Sequence, residues 1–363
     1  MRIKRLGVLL AATVCAFSMV ACGTGKKAED TTATEANTPA TVTITSLNGN
    51  KEEISLEVPY NPQKIAILDL ASLDIIDSLG MGDRVVGTAD TSIDYLKKYA
   101  DNKNIKNLGT IKEADMEAVM ECEPDVIFIG GRLAASYDAL SEIAPVVFLA
   151  TDTQLGVVKS VTKNATTIAK MFGLESQVDS KVADFNKRIE ALSAVAKDKT
   201  ALVGMTTSGS FNLLGNDGRC SIIGVEIGFN NLTASSASSQ GSSEKSGSSE
   251  KGGNGSSERG GNGGGRGGNG GSTSTHGNES SFETVVAQNP DYIFVMDRDS
   301  AIGTQGAKMA KEIMENDLVK QTDAYKNNRI VYLEHPNVWY TAEGGIQALD
   351  TMLKDLEKSL LNK

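Results

Sequence analysis

The chain of 363 residues carries only two histidines, four cysteines, one tryptophan and seven prolines. Protein sites for zinc or manganese gather several histidines with carboxylates, so this stock argues against a stand-alone metal centre. Two of the cysteines, Cys15 and Cys22, lie near the start, and the remaining pair, Cys122 and Cys220, is too small for a disulfide framework. They read as small buried thiols. Positive charge is in the minority, 36 Lys and Arg against 46 Asp and Glu, for a formal net charge of −10. Such a chain is a poor general partner for nucleic acid or anionic lipid, and any anion it binds must be held by a local cluster of cations. A G-x-S-x-G nucleophile elbow is also missing, and the serines crowd into one low-complexity stretch, which speaks against a serine esterase.

The main long apolar run is at the beginning. Arg2, Lys4 and Arg5 precede apolar residues 6–20, then Ala21 and Cys22, the layout of a secretion signal over residues 1–21. Met19-Val20-Ala21-Cys22 resembles a bacterial lipobox, which makes Cys22 the expected lipidation site and residues 22–40 a polar, flexible tether. Loss of residues 1–21 removes three positive charges and takes the net charge from −10 to −13.

The strongest internal signal is a repeat. FETVVAQNPDYIFVMDR, residues 282–298, aligns without a gap on MEAVMECEPDVIFIGGR, residues 116–132, at an offset of 166. Glu117 falls on Glu283, Pro124 on Pro290, Asp125 on Asp291, Phe128 on Phe294 and Arg132 on Arg298. Each copy reads as a short amphipathic helix, a Pro-Asp turn and a buried strand that ends by delivering an arginine. Two copies imply two related α/β lobes. In open α/β sheets ligands gather beyond the carboxyl ends of the strands, so the paired arginines suggest an anion held between the lobes.

Around the repeat, TVTITSL and EEISLEV flank Asn48-Gly49-Asn50 as a hairpin, and KIAILDL reads as a buried strand. Val178, Val182, Phe185, Ile189, Leu192 and Ala196 recur at helical spacing and predict one helix of about 20 residues, roughly 30 Å, long enough to bridge two lobes. An ordinary surface helix of one lobe is the alternative. The expected organisation is a first lobe over 41–173, a linking helix over 174–198 and a second lobe over 199–363. Residues 234–272 collapse to Ser, Gly, Asn, Glu, Lys and Arg and are expected to be a disordered loop within the second lobe.

VPYNPQKIAILDLASLDIIDSLGMGDRVVG and LGTIKEADMEAVMECEPDVIFIGGR resemble the opening of the periplasmic binding-protein family that delivers iron siderophores, haem or cobalamin to ABC importers. With the C-terminal half, the likeness covers most of residues 41–363. The resemblance implies the class III fold, two α/β lobes joined by a long helix, and a monomeric binding protein rather than an enzyme. The low-complexity stretch departs from the family pattern, where a short connection is expected.

In the catecholate branch of that family, which takes petrobactin-like or enterobactin-hydrolysis-product ligands, arginines follow the sequences matched here by GGR, NDGR and MDR. The resemblance thus implies Arg132, Arg219 and Arg298 as ligand-binding residues, with Trp339 beside them. Arginine suits such a ligand, because its planar fork of donors stays charged and stacks on aromatic rings. A tetradentate catecholate leaves two coordination positions on ferric iron, and His276 and Tyr340 match positions where some members supply a histidine and a tyrosine to fill them. The competing His335 matches no family ligand. Glu117 and Glu283 match glutamates that engage the importer's permease subunits, although a helix dipole alone favours an acid there. The implied protein has no intrinsic cofactor; its ligand is an Fe(III)–siderophore complex and its place the extracytoplasmic face of the membrane. Haem or cobalamin capture on the same fold is the alternative, with three mouth arginines harder to explain.

Overall fold

The structure, a computed structural model, describes residues 39–233, 278–279 and 281–361. The signal, Cys22, the tether up to residue 38, the whole low-complexity stretch 234–272 and His276 lie outside the described residues.

The opening hairpin forms as its alternation predicts. Strand β1 (Thr41–Leu47) pairs antiparallel with β2 (Glu53–Pro59), from Thr41 opposite Pro59 to Leu47 opposite Glu53. Asn48 closes the turn, its Oδ1 accepting from the amides of Asn50 and Glu52.

The first lobe is a five-stranded parallel sheet with helices around it. Its strands are β3 (Ile65–Ile67), β4 (Val85–Thr88), β5 (Lys106–Asn107), β8 (Val126–Ile129) and β9 (Val146–Phe148), ordered β5-β4-β3-β8-β9. A small hairpin of β6 (Gly109–Thr110) and β7 (Glu113–Ala114) stands apart. The second lobe is built on β10 (Thr200–Thr207), β11 (Ser210–Leu213), β12 (Asn230–Asn231), β13 (Asn278–Glu279), β14 (Tyr292–Asp297) and β15 (Ile330–Tyr332). Its order is β13-β11-β10-β14-β15, with β12 also on β10, and β10, β14 and β15 run parallel.

The repeat is a structural one. Each copy starts with a capped helix: Asp115 accepts from the Ala118 amide at the head of Met116–Glu121, and Ser281 from the Thr284 amide at the head of Phe282–Gln288. Glu123 and Asn289, equivalent under the offset, both follow their helix in the left-handed conformation, at φ 44° and 39°. Such a residue ends a helix and turns the chain into the strand. The equivalent aspartates then bind the start of a neighbouring strand: Asp125 accepts from the Lys64 amide just before β3, and Asp291 from the Thr200 amide of β10.

Period-two alternation sorts the strand residues onto two faces. Ile127 and Ile293 turn to separate outer cores, one per lobe. Phe128 and Phe294 turn inward to one core that both sheets share, with Ile65, Val203, Leu192 and Leu349. The lobes are therefore packed against each other through a continuous apolar core.

The predicted linking helix is interrupted. It forms as Glu175–Val182 and Phe185–Ala196, separated by Ala183 and Asp184. Both intervening residues keep right-handed helical angles, so Val178, Phe185, Leu192 and Ala196 still share a buried face across the break. Aspartate is a poor residue for a helix interior because its side chain competes for backbone hydrogen bonds. Arg188 ties the second half to the C-terminal helix Ile346–Leu361, donating to Glu357 at 2.8 and 3.0 Å and to Asp350 at 2.7 Å.

Candidate functional site

HPNVWYTAEGG, residues 335–345, contains a helix, Pro336–Thr341, with proline at its first turn. Proline is favoured there because the missing N–H would have had no helical partner. The helix carries Tyr340 to the lobe junction, where the tyrosine is 3% exposed.

Three arginines converge on that tyrosine. Arg132, from the Gly131–Ser136 turn after β8, donates through Nη2 to the Tyr340 carbonyl at 3.0 Å. Arg219, beyond β11, donates through Nε to the same carbonyl at 3.3 Å, and its guanidinium carbon lies 4.4 Å from the ring centroid. Arg298, directly after β14, donates through Nε to the Tyr340 hydroxyl at 3.1 Å and through Nη1 to Thr207 Oγ1 at 3.3 Å. Arg132 and Arg298 hold their guanidinium carbons 5.4 and 5.6 Å from the ring centroid. Each cation over a ring gains about 0.5–2 kcal/mol, depending on how dry the site is.

Like charges held this close repel. Burial and the nearby Arg132 guanidinium push the Arg219 pKa below its ordinary value. Burial alone would raise the Tyr340 phenol, but the Arg298 hydrogen bond and the three positive charges outweigh it and lower the pKa below the usual tyrosine value. The cluster favours an anion, whether a phenolate of its own or an oxygen brought from outside.

A cavity of about 270 Å³ opens beside the cluster, at the junction of the lobes. The first lobe contributes Asp69 and Arg132 to its wall, the second Arg219, Tyr340 and Glu343. Asp69 and Arg132 follow β3 and β8, the strands between which the first sheet reverses its order, the place where open α/β sheets hold ligands. Burial raises the pKa of Asp69 and pushes that of Glu343 up to about 7, against the pull of Arg219 and the Cys220 amide. The acidic wall residues are thus easier to neutralise than the arginines, and the site keeps a cationic balance.

Arg132, Arg219 and Tyr340 reach the cavity wall together; Arg298 stands behind and holds the tyrosine hydroxyl. Trp339 departs from expectation. It is 0% exposed, donates through Nε1 to Asp355 at 2.9 Å and belongs to the core, not to the cavity wall. Adjacent residues on a helix point about 100° apart, and here Tyr340 turns to the cavity and Trp339 to the core. His335 shares Asp355, with Nδ1 2.7 Å from its Oδ1, and so is engaged away from the cavity. Cys220 is buried and Cys122 half-buried, and burial raises both thiol pKa values. Glu117 and Glu283 are exposed in the first turns of the two repeat helices. Asp69 and Glu343 escape sequence reading because nothing in KIAILDL or HPNVWYTAEGG sets either acid apart, and their common wall joins positions 274 residues apart. Among the described residues no group of three or more His, Cys, Asp or Glu could hold a metal ion, and no helix is long and apolar enough to cross a membrane.

Two α/β lobes, one on a parallel and one on a mixed sheet, with a charged cavity between them fit the class III architecture of binding proteins. The chain belongs to the periplasmic binding protein family, whose model matches residues 65–250 and 266–336. It is 31% identical to the petrobactin-binding protein YclQ of Bacillus subtilis over 98% of this chain and 99% of that protein. The crystal structure of YclQ superposes with a TM-score of 0.71 at 30% identity, over 88% of this chain and 99% of the other. The periplasmic catecholate-siderophore binding protein VctP of Vibrio cholerae gives 0.70 at 27% identity, over 88% of this chain and all of the other. The expected fold and family are thereby borne out, as is a binding protein in place of an enzyme.

Proposed function

We propose that this chain is the extracytoplasmic, lipid-anchored binding protein of an ABC importer and captures a ferric catecholate siderophore in the cavity between its lobes. The observation that carries this reading is the convergence of Arg132, Arg219 and Arg298 on Tyr340 at the cavity. Catecholate oxygens are anionic and sit on flat rings, and arginine answers both features at once. The names of the relatives, petrobactin-binding and catecholate-siderophore binding, agree with that chemistry.

In this reading a tetradentate catecholate leaves two positions on the iron, which Tyr340 and His276 fill. The lowered phenol pKa favours Tyr340 as a phenolate donor. Cys22 carries the lipid, residues 22–40 are the tether, and residues 41–173, 174–198 and 199–363 act as lobe, connector and lobe. Glu117 and Glu283, one on each repeat helix, meet the permease subunits, and the chain works as a monomer.

Titration with the ferric complex of a linear bis-catecholate tests the reading. Binding should quench the single tryptophan and produce a charge-transfer band that moves in Tyr340→Phe and in His276→Ala. An unmoved band in both variants removes the iron-ligand roles and leaves capture intact; absence of binding to the unmodified chain removes the ligand class.

A further inference from the structure

Two long helices at the lobe junction begin without a capping side chain of their own. Val157–Lys170 starts after Gly156, and Ile346–Leu361 starts after Gly345. The first turn of a helix leaves amide donors without helical partners, and burial makes them costly unless an acceptor is supplied. Here the acceptor comes from the opposite lobe in both cases.

Asp74, on the first-lobe helix Leu70–Ser78, is 0% exposed and receives the Gln347 amide at 2.9 Å on Oδ1 and the Ala348 amide at 2.8 Å on Oδ2. Glu226, which ends the second-lobe helix Ser221–Val225, receives the Val158 amide at 2.8 Å on Oε1. In each pair a glycine makes room. A Cβ on Gly345 would lie 2.4 Å from Asp74 Cγ, and one on Gly156, at φ +90°, would lie 3.0 Å from Glu226 Oε1. The two contacts are reciprocal: each lobe supplies one carboxylate and receives one.

The helix that Glu226 caps carries Asn164 to the cavity wall, and Asp74 is tied to that wall from its own helix. Asp69 and Asp74 bracket the first turns of one helix, about 7 Å apart along its axis. Ser72 and Ile75 of that helix, and Glu343 and Gly344 just before Gly345, line the cavity from opposite lobes. A change of lobe register at Asp74 would alter the separation of the two walls directly.

We propose that Asp74 and Glu226 are positioning residues for the cavity, a reciprocal pair of carboxylate caps that fixes the register of its two walls. Their effect on affinity rests on the catecholate reading; their effect on register does not.

Amide hydrogen exchange on the full chain, with and without the iron(III)–catechol complex as probe, tests this. Gly345→Ala expels Asp74 without removing it, and Glu226→Ala removes the other cap. If the caps share one register, each variant speeds exchange at both sites: Gly345→Ala at Val158 as well as at Gln347 and Ala348, and Glu226→Ala at Gln347 and Ala348 as well as at Val158. Glu226→Gln keeps an acceptor and should restore protection at both. Probe affinity should fall in the two cap-breaking variants although neither residue lines the cavity. Faster exchange confined to the amides whose own cap was removed, or unchanged probe affinity with both caps broken, overturns the proposal. Should Gly345→Ala not fold, the pair Glu226→Ala and Glu226→Gln decides it. A probe that fails to bind the unmodified chain counts against the catecholate reading, and the exchange at the two caps still decides whether they share one register.

Discussion

Arg132 and Arg298 stand 166 positions apart, occupy equivalent places in the repeated segment, and bring their guanidinium carbons 5.4 and 5.6 Å from the centroid of one ring, that of Tyr340. The duplication therefore ends in convergence. The two copies do not act alike, since Arg132 holds the tyrosine's backbone carbonyl and Arg298 its hydroxyl.

Replacing Arg219 by glutamine should separate ligand binding from stability. Arg219 packs against the Tyr340 ring among two other guanidiniums. A charge-assisted hydrogen bond to a ligand oxygen contributes about 1.5–3 kcal/mol, so affinity for a ferric catecholate should fall roughly 10- to 100-fold. The relieved repulsion should leave the thermal midpoint of the ligand-free chain unchanged or raised. Equal affinity for the two proteins in a fluorescence titration would exclude Arg219 from the ligand site.

Trp339→Phe should do the reverse. The substitution keeps an aromatic ring in the core but leaves Asp355, itself 3% exposed, without the indole donor. Losing a hydrogen bond to a buried carboxylate costs about 1–3 kcal/mol. Urea unfolding should show that loss while affinity, followed by the charge-transfer band, stays within a factor of two to three. A large loss of affinity with full stability would return Trp339 to the ligand site.

How far these features can be read from sequence depends on where their determinants lie. The repeat is legible because its copies keep a constant offset, and Phe128 and Phe294 show that the strand pattern also encodes which face meets the shared core. The break at Ala183 and Asp184 is not legible: apolar spacing reports which side of a helix is buried, not whether its hydrogen bonds run unbroken. Trp339 misleads because adjacency in sequence does not tell which of two neighbouring residues turns to the cavity. Asp74 leaves no trace, since its partners Gln347 and Ala348 lie more than 270 positions away and are backbone amides, which every sequence possesses.

Stability should depend on pH through two carboxyl groups. Burial raises Asp74 to about 6, against hydrogen bonds from Tyr95, Gln347 and Ala348, and raises Glu343 to about 7. Both folded values exceed the unfolded ones, so the folded chain retains protons that the unfolded chain has released. The resulting stabilisation is complete below about pH 4 and is lost as pH rises through 6 and then 7. For Asp74 the span is on the order of 3 kcal/mol. Asp74→Asn cannot titrate, so the stability of the unmodified chain relative to this variant should decline between pH 4 and 7. Parallel curves from urea unfolding at each pH would show that Asp74 does not titrate in this window.

Charge reversal at the two repeat helices should isolate transport from capture. Glu117 and Glu283 are exposed and lie in the first turn of their helices, away from the cavity wall. Removing an acid from that position forfeits about 0.3–1 kcal/mol of dipole interaction, too little to unfold the chain. Glu117→Arg with Glu283→Arg should thus leave the ferric catecholate titration unchanged. Iron uptake by cells that depend on this protein should nevertheless stop, because two cations would replace the anions offered to the permease. Each single reversal should leave partial uptake if the lobes dock through separate contacts. Undiminished uptake by the double variant, at equal protein levels, would remove the repeat glutamates from the docking surface.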